Sequence, residues 1–418
     1  MSAKRLRGVS ALAALLLVLA VSVRAQHAPP PIATDDDSGN ASAGLPTTPP
    51  NDGVEAAFTA RSYAPGQTAT LRLQGHATTV RIAVFRAGSG RDGVMQGLQM
   101  TPERTVPVAP SIRVGLGDWR SGLYYERVVT PDRGTWDAPF VLRPSHLGVS
   151  RIAVVLPTNT WQAYNDQNDD SWYFDANVTR VDLTRPYLDA GVPPHYHGYD
   201  RGFERWLVLH RVQADFLSDD DLDRLSGDRL AQAYDLIVFP GHEEYVTNHE
   251  YDTTVRYRNL GGNLAFLSSN DFFYKVEKNG STMIGRWRWR DLGRPEASLV
   301  GEQYIDWNHG RYPNEPYRIT GAGRTPWLFH ATGLAQGSSF GVYGIEVDAT
   351  APSSPAGTKV LATIPNIFGA GETAEMTYYS TPGGAKVFSA GVMNFGGSAL
   401  WPHVRTMIAN LIAFLREP

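Results

Sequence analysis

The amino-acid sequence predicts an all-β domain, a β-sandwich, followed by an α/β domain that contains a parallel sheet. Between Val54 and Pro144, short runs of alternating apolar and polar residues are separated by Gly and Pro, as in the strands of a sandwich. From Arg151 the pattern changes to short, continuous apolar runs that alternate with helical segments. This alternation is typical of parallel strands joined by helices. The predicted domains are residues 53–147 and residues 148–418.

The first residues have the features of a cleaved secretion signal. A basic start precedes an apolar run over Ala11–Val21, and a small-residue ending follows that run before Gln26. Residues 1–25 are therefore predicted to be a secretion signal, and the protein is predicted to be secreted or periplasmic, with no membrane contact after signal cleavage. Residues 26–52 are rich in Pro, Ser, Thr and Asp without an apolar period, which predicts a disordered linker.

Composition excludes several classes of function. The chain of 418 residues has a formal net charge of -4 and no run of basic residues with interleaved aromatics, so nucleic acid is not an expected partner. It contains no cysteine, which excludes disulfides, thiolate metal sites and a cysteine nucleophile. No GxSxG motif supports a serine hydrolase. A homo-oligomer is compatible with the sequence.

The elements of the first domain follow from its period-two pattern. The segments expected to be strands are Leu71–Leu73, Val80–Val84, Ile112–Leu116, Trp119–Val128 and Phe140–Leu142. A hairpin is expected between the last two, where the sequence reads PDRGTWD.

The second domain shows strands and helices in turn. The segments expected to be strands are Arg151–Pro157, Ala214–Leu217, Leu236–Phe239, Asn263–Leu267 and Lys386–Val392. The segments expected to be helices are Gly202–Val212, Asp220–Ala233, Glu250–Leu260 and Val404–Leu415. Residues 275–385 have no clear period and are expected to form long insertions over the sheet.

Polar side chains follow three of the predicted parallel strands. These strand ends are Pro157–Tyr164, Gly241–Tyr245 and Ser268–Asp271, and the carboxyl ends of parallel strands meet in one crevice. The residues expected there are mostly oxygen donors, namely Tyr164, Glu243, Glu244, Tyr245 and Asn270, with His242 beside them. Such donors suit a hard cation, and tyrosine binds a metal at neutral pH only when a strongly Lewis-acidic ion such as ferric iron displaces its proton. The alternative is that these tyrosines are ordinary core or surface residues.

Two other clusters have simpler interpretations. His195 and His197 in PPHYHGYD have a spacing that metal ligands can use, but the surrounding prolines favour an exposed loop. The acids at 219–221 are most simply a charge cluster at a helix start.

The chain contains, in this order, the motifs SGLYY, PTNTWQAYN, RPY, GHEEY, GGNLAFLSSND and AEMTYYSTPGGAKVFSAG. Through these motifs it resembles the large (β) subunit of N,N-dimethylformamidase, in its C-terminal region, from about Val54 to the end. The resemblance implies a three-layer, amidotransferase-like fold for the α/β domain after an immunoglobulin-like sandwich. It also implies one ferric ion (Fe³⁺) per chain, held by two tyrosines and one glutamate, and hydrolysis of an amide bond.

Carried over by motif, the resemblance implies that Tyr124, Tyr164 and Glu244 are the iron ligands. Tyr125 is the alternative to Tyr124, and because neighbouring residues of a strand point to opposite faces, only one of the two can reach the site. Tyr124 is expected to bridge from the first domain to the second.

Three further positions match residues near the metal of that family. They are His242, Asn270 and Glu375, which are expected to be catalytic: His242 or Glu375 would move protons, and Asn270 would orient the substrate or the oxyanion.

The favoured hypothesis is a secreted, iron-dependent amidohydrolase that cleaves the carbon–nitrogen bond of a small, formamide-like amide. A second hypothesis is a non-catalytic binding module for a polysaccharide or a protein, in which the aromatic segment Trp287–Tyr317 is exposed. A third is a hydrolase that uses the same carboxylates without a metal.

Overall fold

The computed structural model describes residues 53–175, 177–311 and 313–417. The predicted secretion signal and disordered linker, residues 1–25 and 26–52, lie outside these residues. The described chain is a mixed α/β structure in which β-strands predominate. None of its described helices is long and apolar enough to cross a membrane.

The first part of the chain forms two antiparallel-rich sheets that share one hydrophobic core. Its strands are β1 (Glu55–Phe58), β2 (Ser62–Tyr63), β3 (Thr68–Gln74), β4 (Thr79–Arg86), β5 (Leu98–Gln99), β6 (Arg104–Pro107), β7 (Ile112–Gly115), β8 (Gly122–Val129) and β9 (Thr135–Leu142). One sheet has the order β1-β3-β7, and the other has the order β2-β9-β8-β4-β5, with β6 paired to β4. Leu71 of the first sheet packs in one cluster with Val84 and Phe140 of the second, so the alternating apolar residues face inward as expected.

The second part contains the remaining strands and all the described α-helices. The strands are β10 (Ile152–Leu156), β11 (Arg180–Asp182), β12 (Asp215–Ser218), β13 (Leu236–Phe239), β14 (Tyr245–Thr247), β15 (Asn263–Phe266), β16 (Tyr274–Asn279), β17 (Thr282–Arg288), β18 (Gln303–Trp307), β19 (Glu315–Ile319), β20 (Ser339–Tyr343), β21 (Glu346–Ala349), β22 (Lys359–Ile364), β23 (Ala374–Ser380) and β24 (Lys386–Ser389). The helices are α1 (Thr158–Tyr164), α2 (Tyr196–Tyr199), α3 (Arg201–Leu209), α4 (Asp219–Leu222), α5 (Gly227–Ala233), α6 (Asn248–Asn259), α7 (Ala297–Val300) and α8 (Val404–Arg416).

A nine-stranded sheet organises this part, in the order β12-β10-β13-β15-β24-β23-β22-β19-β20. Its first five strands are parallel, and their apolar runs are buried on both faces of the sheet. In the register of the sheet, Val154 lies beside Phe216 on one side and Val238 on the other. The continuous apolar runs in the sequence therefore identified the parallel strands.

Residues 275–385 differ from the expectation that they lie over the sheet. Four of their strands, β19, β20, β22 and β23, extend the nine-stranded sheet itself as antiparallel neighbours. Strands β16 and β17 join β11 and β14, from earlier in the chain, in a smaller sheet of order β11-β17-β16-β14, and β18 pairs with β21. The period was hidden because several of these strand pairs contain register shifts, which interrupt the alternation of apolar and polar residues.

The helix predicted over Asp220–Ala233 consists of two short helices, α4 and α5. The Ser218 side chain accepts a hydrogen bond from the Asp221 amide in a capping box at the start of α4. The Ser226 side chain accepts from the Arg229 amide at the start of α5. Two separate caps in one segment therefore start two helices.

The two parts of the chain pack against each other through a shared core and a backbone contact. One cluster contains Phe85 and Tyr125 from the first part together with Val154 and Val238 from the second. The Ser121 hydroxyl, just before β8, accepts a hydrogen bond of 2.7 Å from the amide of Phe216 in the edge strand β12. The edge of the nine-stranded sheet is thereby joined to the first part of the chain.

Candidate functional site

Three loops at the carboxyl ends of β10, β13 and β15 lie together, as the sequence predicted. The amide of Glu244, after β13, donates a hydrogen bond of 3.1 Å to the hydroxyl of Thr160 in α1, which follows β10. The amide of Glu243 donates one of 2.9 Å to Oδ1 of Asp271, after β15. These contacts hold the loop that carries Glu244 between the other two.

The centre of the site is the contact between Tyr164 and Glu244. The Tyr164 hydroxyl donates a hydrogen bond of 2.8 Å to Oε2 of Glu244, and both side chains are buried. Nε2 of His242 lies 3.5 Å from the same carboxylate oxygen but has no hydrogen-bond partner. A phenol, a carboxyl group and an imidazole therefore meet at one buried point.

Tyr245 brings a second phenol to this point. Its ring lies 6.3 Å from the ring of Tyr164, between centroids, and stacks on Tyr274. Its hydroxyl is buried and makes no hydrogen bond of acceptable geometry, yet it lies close enough to Glu244 to lower the pKa of that carboxyl group. A buried hydroxyl without a partner is costly unless something else binds it.

Asn270 connects the site to a fourth element, strand β21. Its side-chain amide donates a hydrogen bond of 2.9 Å to Oε2 of Glu346, and its backbone amide lies 2.9 Å from both carboxylate oxygens of Asp348. Asn270 has a φ of 57°, a left-handed conformation that Asn tolerates better than most residues. Its side-chain oxygen has no partner, so an amide oxygen is left available at the site.

Aromatic and imidazole rings surround these polar groups. The ring of Tyr164 packs against Tyr173 at 4.8 Å, His242 at 5.4 Å and His195 at 5.8 Å, and the His195 ring stacks on Tyr199. His195 was expected in an exposed loop. The structure places it half-buried at the site, because PPHYHGYD turns inward to start α2.

Two small clefts border the cluster, and both are lined by Tyr164, His195, Tyr199 and His242. Each has a volume of about 10 Å³ for the centre of a water-sized molecule. This is roughly the space that one water requires. The site is therefore tightly filled by its own side chains.

Burial without a balancing charge dominates the electrostatics of the site. Burial raises the pKa of Glu244 to about 8, and the hydrogen bond from Tyr164 opposes that rise. Burial and the nearby Glu244 carboxyl raise the pKa of Glu346, whereas burial and the neighbouring His195 lower the pKa of His242 to about 3. Burial therefore favours the neutral forms of these side chains, and a bound cation would instead favour the ionised carboxylates.

The donor set at this point fits a hard cation. Across residues 53–175, 177–311 and 313–417 there is no group of three or more His, Cys, Asp and Glu side chains that could hold a metal. Tyr164, Tyr245 and Glu244 supply two phenols and one carboxyl group within a single buried cluster. This is the type of donor set expected for ferric iron.

Tyr124 is not brought to this cluster. Its hydroxyl donates a hydrogen bond of 2.7 Å to the backbone oxygen of Arg120, and its ring stacks between Trp119 and Phe140 in the core of the first two sheets. The physical reason is the alternation along β8, which directs position 124 into that core. Tyr125 points to the opposite face, as predicted, but there it stacks on Phe85 rather than reaching Glu244.

Glu375 also lies apart from the cluster. Its Oε2 accepts hydrogen bonds from the backbone amide and the hydroxyl of Thr350, at 2.8 and 2.7 Å. The acid that contacts Asn270 is Glu346. Of the six predicted site residues, the structure brings together Tyr164, Glu244, His242 and Asn270, and leaves out Tyr124 and Glu375.

Sequence reasoning missed Glu346 for an identifiable reason. In GIEVDAT, Glu346 and Asp348 alternate with apolar residues, a pattern typical of a strand with one face in water. Both acids are in fact buried. The only signal was the pair of acids two residues apart, which is also what an exposed strand shows.

The chain matches the model of a known family. The model of the family described as N,N-dimethylformamidase beta subunit-like, C-terminal, matches residues 105–404 of the chain. This range contains every residue of the cluster described above. No curated protein matches the chain.

Solved structures resemble the chain only weakly. The mmIFT52 N-terminal domain is 12% identical, with a TM-score of 0.33, and the match covers 50% of this chain and 87% of that one. A superoxide reductase (neelaredoxin) from Ignicoccus hospitalis is 12% identical, with a TM-score of 0.15 and coverage of 22% and 80%. PhoD is 9% identical, with a TM-score of 0.23 and coverage of 89% and 99%. These scores are too low to support an argument about fold or function.

Proposed function

The chain belongs to the N,N-dimethylformamidase beta subunit-like family, and from this membership we propose that it is a secreted, iron-dependent amidohydrolase that cleaves the carbon–nitrogen bond of a small, formamide-like amide. The observation that carries the proposal is the buried contact of Tyr164 with Glu244, beside a neutral His242 and the unpartnered hydroxyl of Tyr245. Polar groups buried without partners are found where a ligand or an ion is bound.

One ferric ion per chain would be held by Tyr164 and Glu244, with Tyr245 as the second tyrosine. When bound, ferric iron supplies a Lewis acid that polarises a carbonyl oxygen or activates water. The orphaned oxygen of Asn270 and the free nitrogen of His242 supply further polar groups at the same point.

Residues of the chain would move the protons that amide hydrolysis requires. His242 has an unpartnered Nε2 beside Glu244, so it is placed to accept a proton from a water molecule. Glu346 lies beside Asn270, and burial raises its pKa, so it is placed to donate a proton to the leaving nitrogen. Asn270, held by Glu346 and Asp348, would orient the substrate.

The tight packing of the site supports a small substrate. The two clefts beside Tyr164 each have room for roughly one water. An amide with few atoms would therefore require the least movement of side chains to enter. Tyr173 and Tyr199 supply aromatic surface that suits small apolar groups on the amide nitrogen.

We further propose the finer organisation that the sequence predicts: an immunoglobulin-like sandwich followed by an amidotransferase-like α/β domain, exported by residues 1–25. The two sheets around Phe140 and the five parallel strands of the central sheet support the first statement. The amino-terminal sequence of the exported protein tests the second, with Gln26 as the expected first residue. A native mass measurement tests whether copies of the chain associate.

The binding-module alternative has less support. In the aromatic segment that it requires, Trp289 and Tyr317 are buried in the core, whereas Trp287 is exposed and packs against Lys275. A single exposed tryptophan is a small surface for a polysaccharide or a protein.

The experiment is product release from a panel of formamides and acetamides, with the iron-loaded wild type and with the matched variant His242→Ala. The proposal predicts amine release by the wild type on at least one small formamide, and a loss of about 10² to 10⁴ in rate for the variant at equal iron content. An iron-loaded wild type that hydrolyses no amide of the panel would favour the binding module. Activity that persists after iron removal would favour a hydrolase that uses carboxylates alone.

A further inference from the structure

A large cleft lies where the first part of the chain meets the edge of the nine-stranded sheet. It has a volume of about 920 Å³, and its wall runs from β8 to the edge strand β12 and helix α3. Ser121 and Phe216, which join the two parts by a hydrogen bond, both line it. The cleft shares no lining residue with the clefts beside Tyr164, so it is separate from the proposed amidase site.

The charged groups of the cleft favour an anion. Three arginines line it: Arg86, which is half-buried, and the exposed Arg120 and Arg211. Of the three acids there, Asp215 is used internally, because its carboxylate accepts hydrogen bonds from the Gly148 and Ser150 amides and from Tyr234. The others are Asp118 at the exposed rim and the buried Glu204.

Glu204 is a buried polar group with unused bonding capacity. It is 3% exposed, and its Oε2 accepts a hydrogen bond of 2.6 Å from the Tyr196 hydroxyl. Its Oε1 has no partner. Burial raises the pKa of Glu204 to about 7, and the nearby Arg86 opposes this rise. The carboxyl group can therefore carry a proton near neutral pH and donate it in a hydrogen bond.

The cleft also has an apolar wall that is open to solvent. Leu98, Val149 and Val208 are 51%, 60% and 38% exposed, and all three line the cleft. Trp119 lies beside them, half-buried and stacked on Tyr124. Exposed aliphatic side chains gathered in one concave site are typical of a surface that binds an apolar group.

We propose that this cleft binds a small amphipathic carboxylic acid, with its carboxylate between Arg86 and Arg120, beside Glu204, and its hydrocarbon chain along Leu98, Val149 and Val208. The guanidinium groups match a carboxylate in geometry and charge. The Arg86 guanidinium donates a hydrogen bond of 3.4 Å to the backbone oxygen of Ser121, and the Arg120 guanidinium donates one of 3.1 Å to the side chain of Gln213. A guanidinium carries five N–H donors, so both arginines retain donors for a ligand.

Calorimetric titration of the full-length protein with octanoate tests the proposal, with octanol and octylamine as chain-matched probes. Octanoate is expected to bind at one site per chain, at least about tenfold more tightly than either probe, because only its carboxylate accepts charge-assisted hydrogen bonds from the two guanidinium groups. Octanol binding as tight as octanoate would overturn the role of the arginines. Tighter binding of octylamine, or no binding of octanoate at millimolar concentration, would overturn the proposal.

Variants separate the site from general effects of charge. Arg120→Ala is expected to weaken octanoate binding about tenfold, whereas Arg229→Ala, at an exposed position outside the cleft, should leave it unchanged. Arg86→Met should weaken binding at least as much, and Arg120→Ala decides the matter if Arg86→Met does not fold. Equal affinity of the Arg120 and Arg229 variants would contradict the assignment. Arg120→Ala and Arg229→Ala should hydrolyse amides at the same rate. The result of the octanoate titration is therefore independent of the proposed amidase activity.

Discussion

Tyr164 donates a hydrogen bond of 2.8 Å to Glu244, although 80 positions of the chain separate them. One residue ends the helix after β10 and the other follows β13, and these strands are parallel neighbours in the central sheet. The contact therefore depends on the topology of the sheet. It places a phenol and a carboxyl group together where neither is exposed to water.

The second tyrosine of the proposed iron site is tested by a pair of variants. Loss of an outer-shell partner lowers metal affinity by roughly 10–100-fold. Tyr245→Phe should lower iron affinity by more than this, because the Tyr245 hydroxyl lies beside Glu244. Tyr124→Phe should keep iron, because the Tyr124 hydroxyl is bonded to Arg120 in a separate core. Metal analysis of both purified proteins gives the answer, and iron loss only in Tyr124→Phe would restore the assignment carried over from the family.

A second pair of variants distinguishes Glu346 from Glu375 as the acid that donates a proton during hydrolysis. Glu346→Gln should lower the rate of amide hydrolysis by about 10² to 10⁴ at unchanged iron content, because it removes the proton donor beside Asn270. Glu375→Gln should change the rate little, since Glu375 is bonded to Thr350 away from the cluster. If Glu375→Gln is the inactive variant, the motif alignment identified the acid better than the geometry.

Thr160 is predicted to be a positioning residue for the loop that carries Glu244. Its hydroxyl accepts hydrogen bonds from the amides of Glu244 and Tyr245, at 3.1 and 3.4 Å. Thr160→Val leaves these buried amides unpaired, so the free energy of unfolding should fall by about 1–3 kcal/mol and iron affinity by about 10–100-fold.

The control for Thr160→Val is Thr253→Val, measured by denaturant unfolding and iron titration. The Thr253 hydroxyl, in helix α6, donates to the backbone oxygen of Leu225 rather than to the loop that carries Glu244, so its loss should lower stability without changing iron affinity. Equal iron affinities in the two variants would contradict a positioning role for Thr160.

Glu126 makes stability depend on pH independently of any metal. It lies on the same face of β8 as Tyr124, is 1% exposed, and has its pKa raised by burial from 4.5 to about 7. Because the folded-state pKa of Glu126 lies above the unfolded one, the contribution of Glu126 to the free energy of unfolding is fully present below pH 4.5 and falls as pH rises from 4.5 to about 7. Above that pH the contribution is lower by about 3 kcal/mol.

The variant Glu126→Gln should remove the contribution of Glu126 to the pH dependence of stability, because glutamine does not ionise. Urea unfolding at a series of pH values from 4 to 8 measures it, with the exposed Glu103→Gln as the matched control. A wild type and a Glu126→Gln variant with parallel pH profiles would contradict the prediction.

The sequence predicted the parallel part of the fold well, because its strands are buried on both faces and read as unbroken apolar runs. Leu236–Phe239 and Asn263–Phe266 were found in this way, and with them the loops that carry His242, Glu244 and Asn270. Position after a buried parallel strand thus located most of the cluster.

The antiparallel half was not predictable by the same reasoning. Its strands contain register shifts, such as the one between Val360 and Ala362, that interrupt the period. Glu346 is buried on such a strand although its alternation with apolar residues resembles a solvent-exposed face. The strand that contains Tyr124 was predicted from the sequence, but the core that its side chain enters is determined by the packing of β8.

The central claim is that Tyr164 and Glu244 hold iron, and the most direct test is the iron content of the folded protein, measured together with its visible absorption. After expression with ample iron, the wild type should contain about one iron per chain and show a phenolate-to-iron charge-transfer band. Tyr164→Phe, folded to the same extent by circular dichroism, should contain no iron and show no band. A folded wild type without iron, or a Tyr164→Phe variant that retains both the iron and the band, would contradict the account.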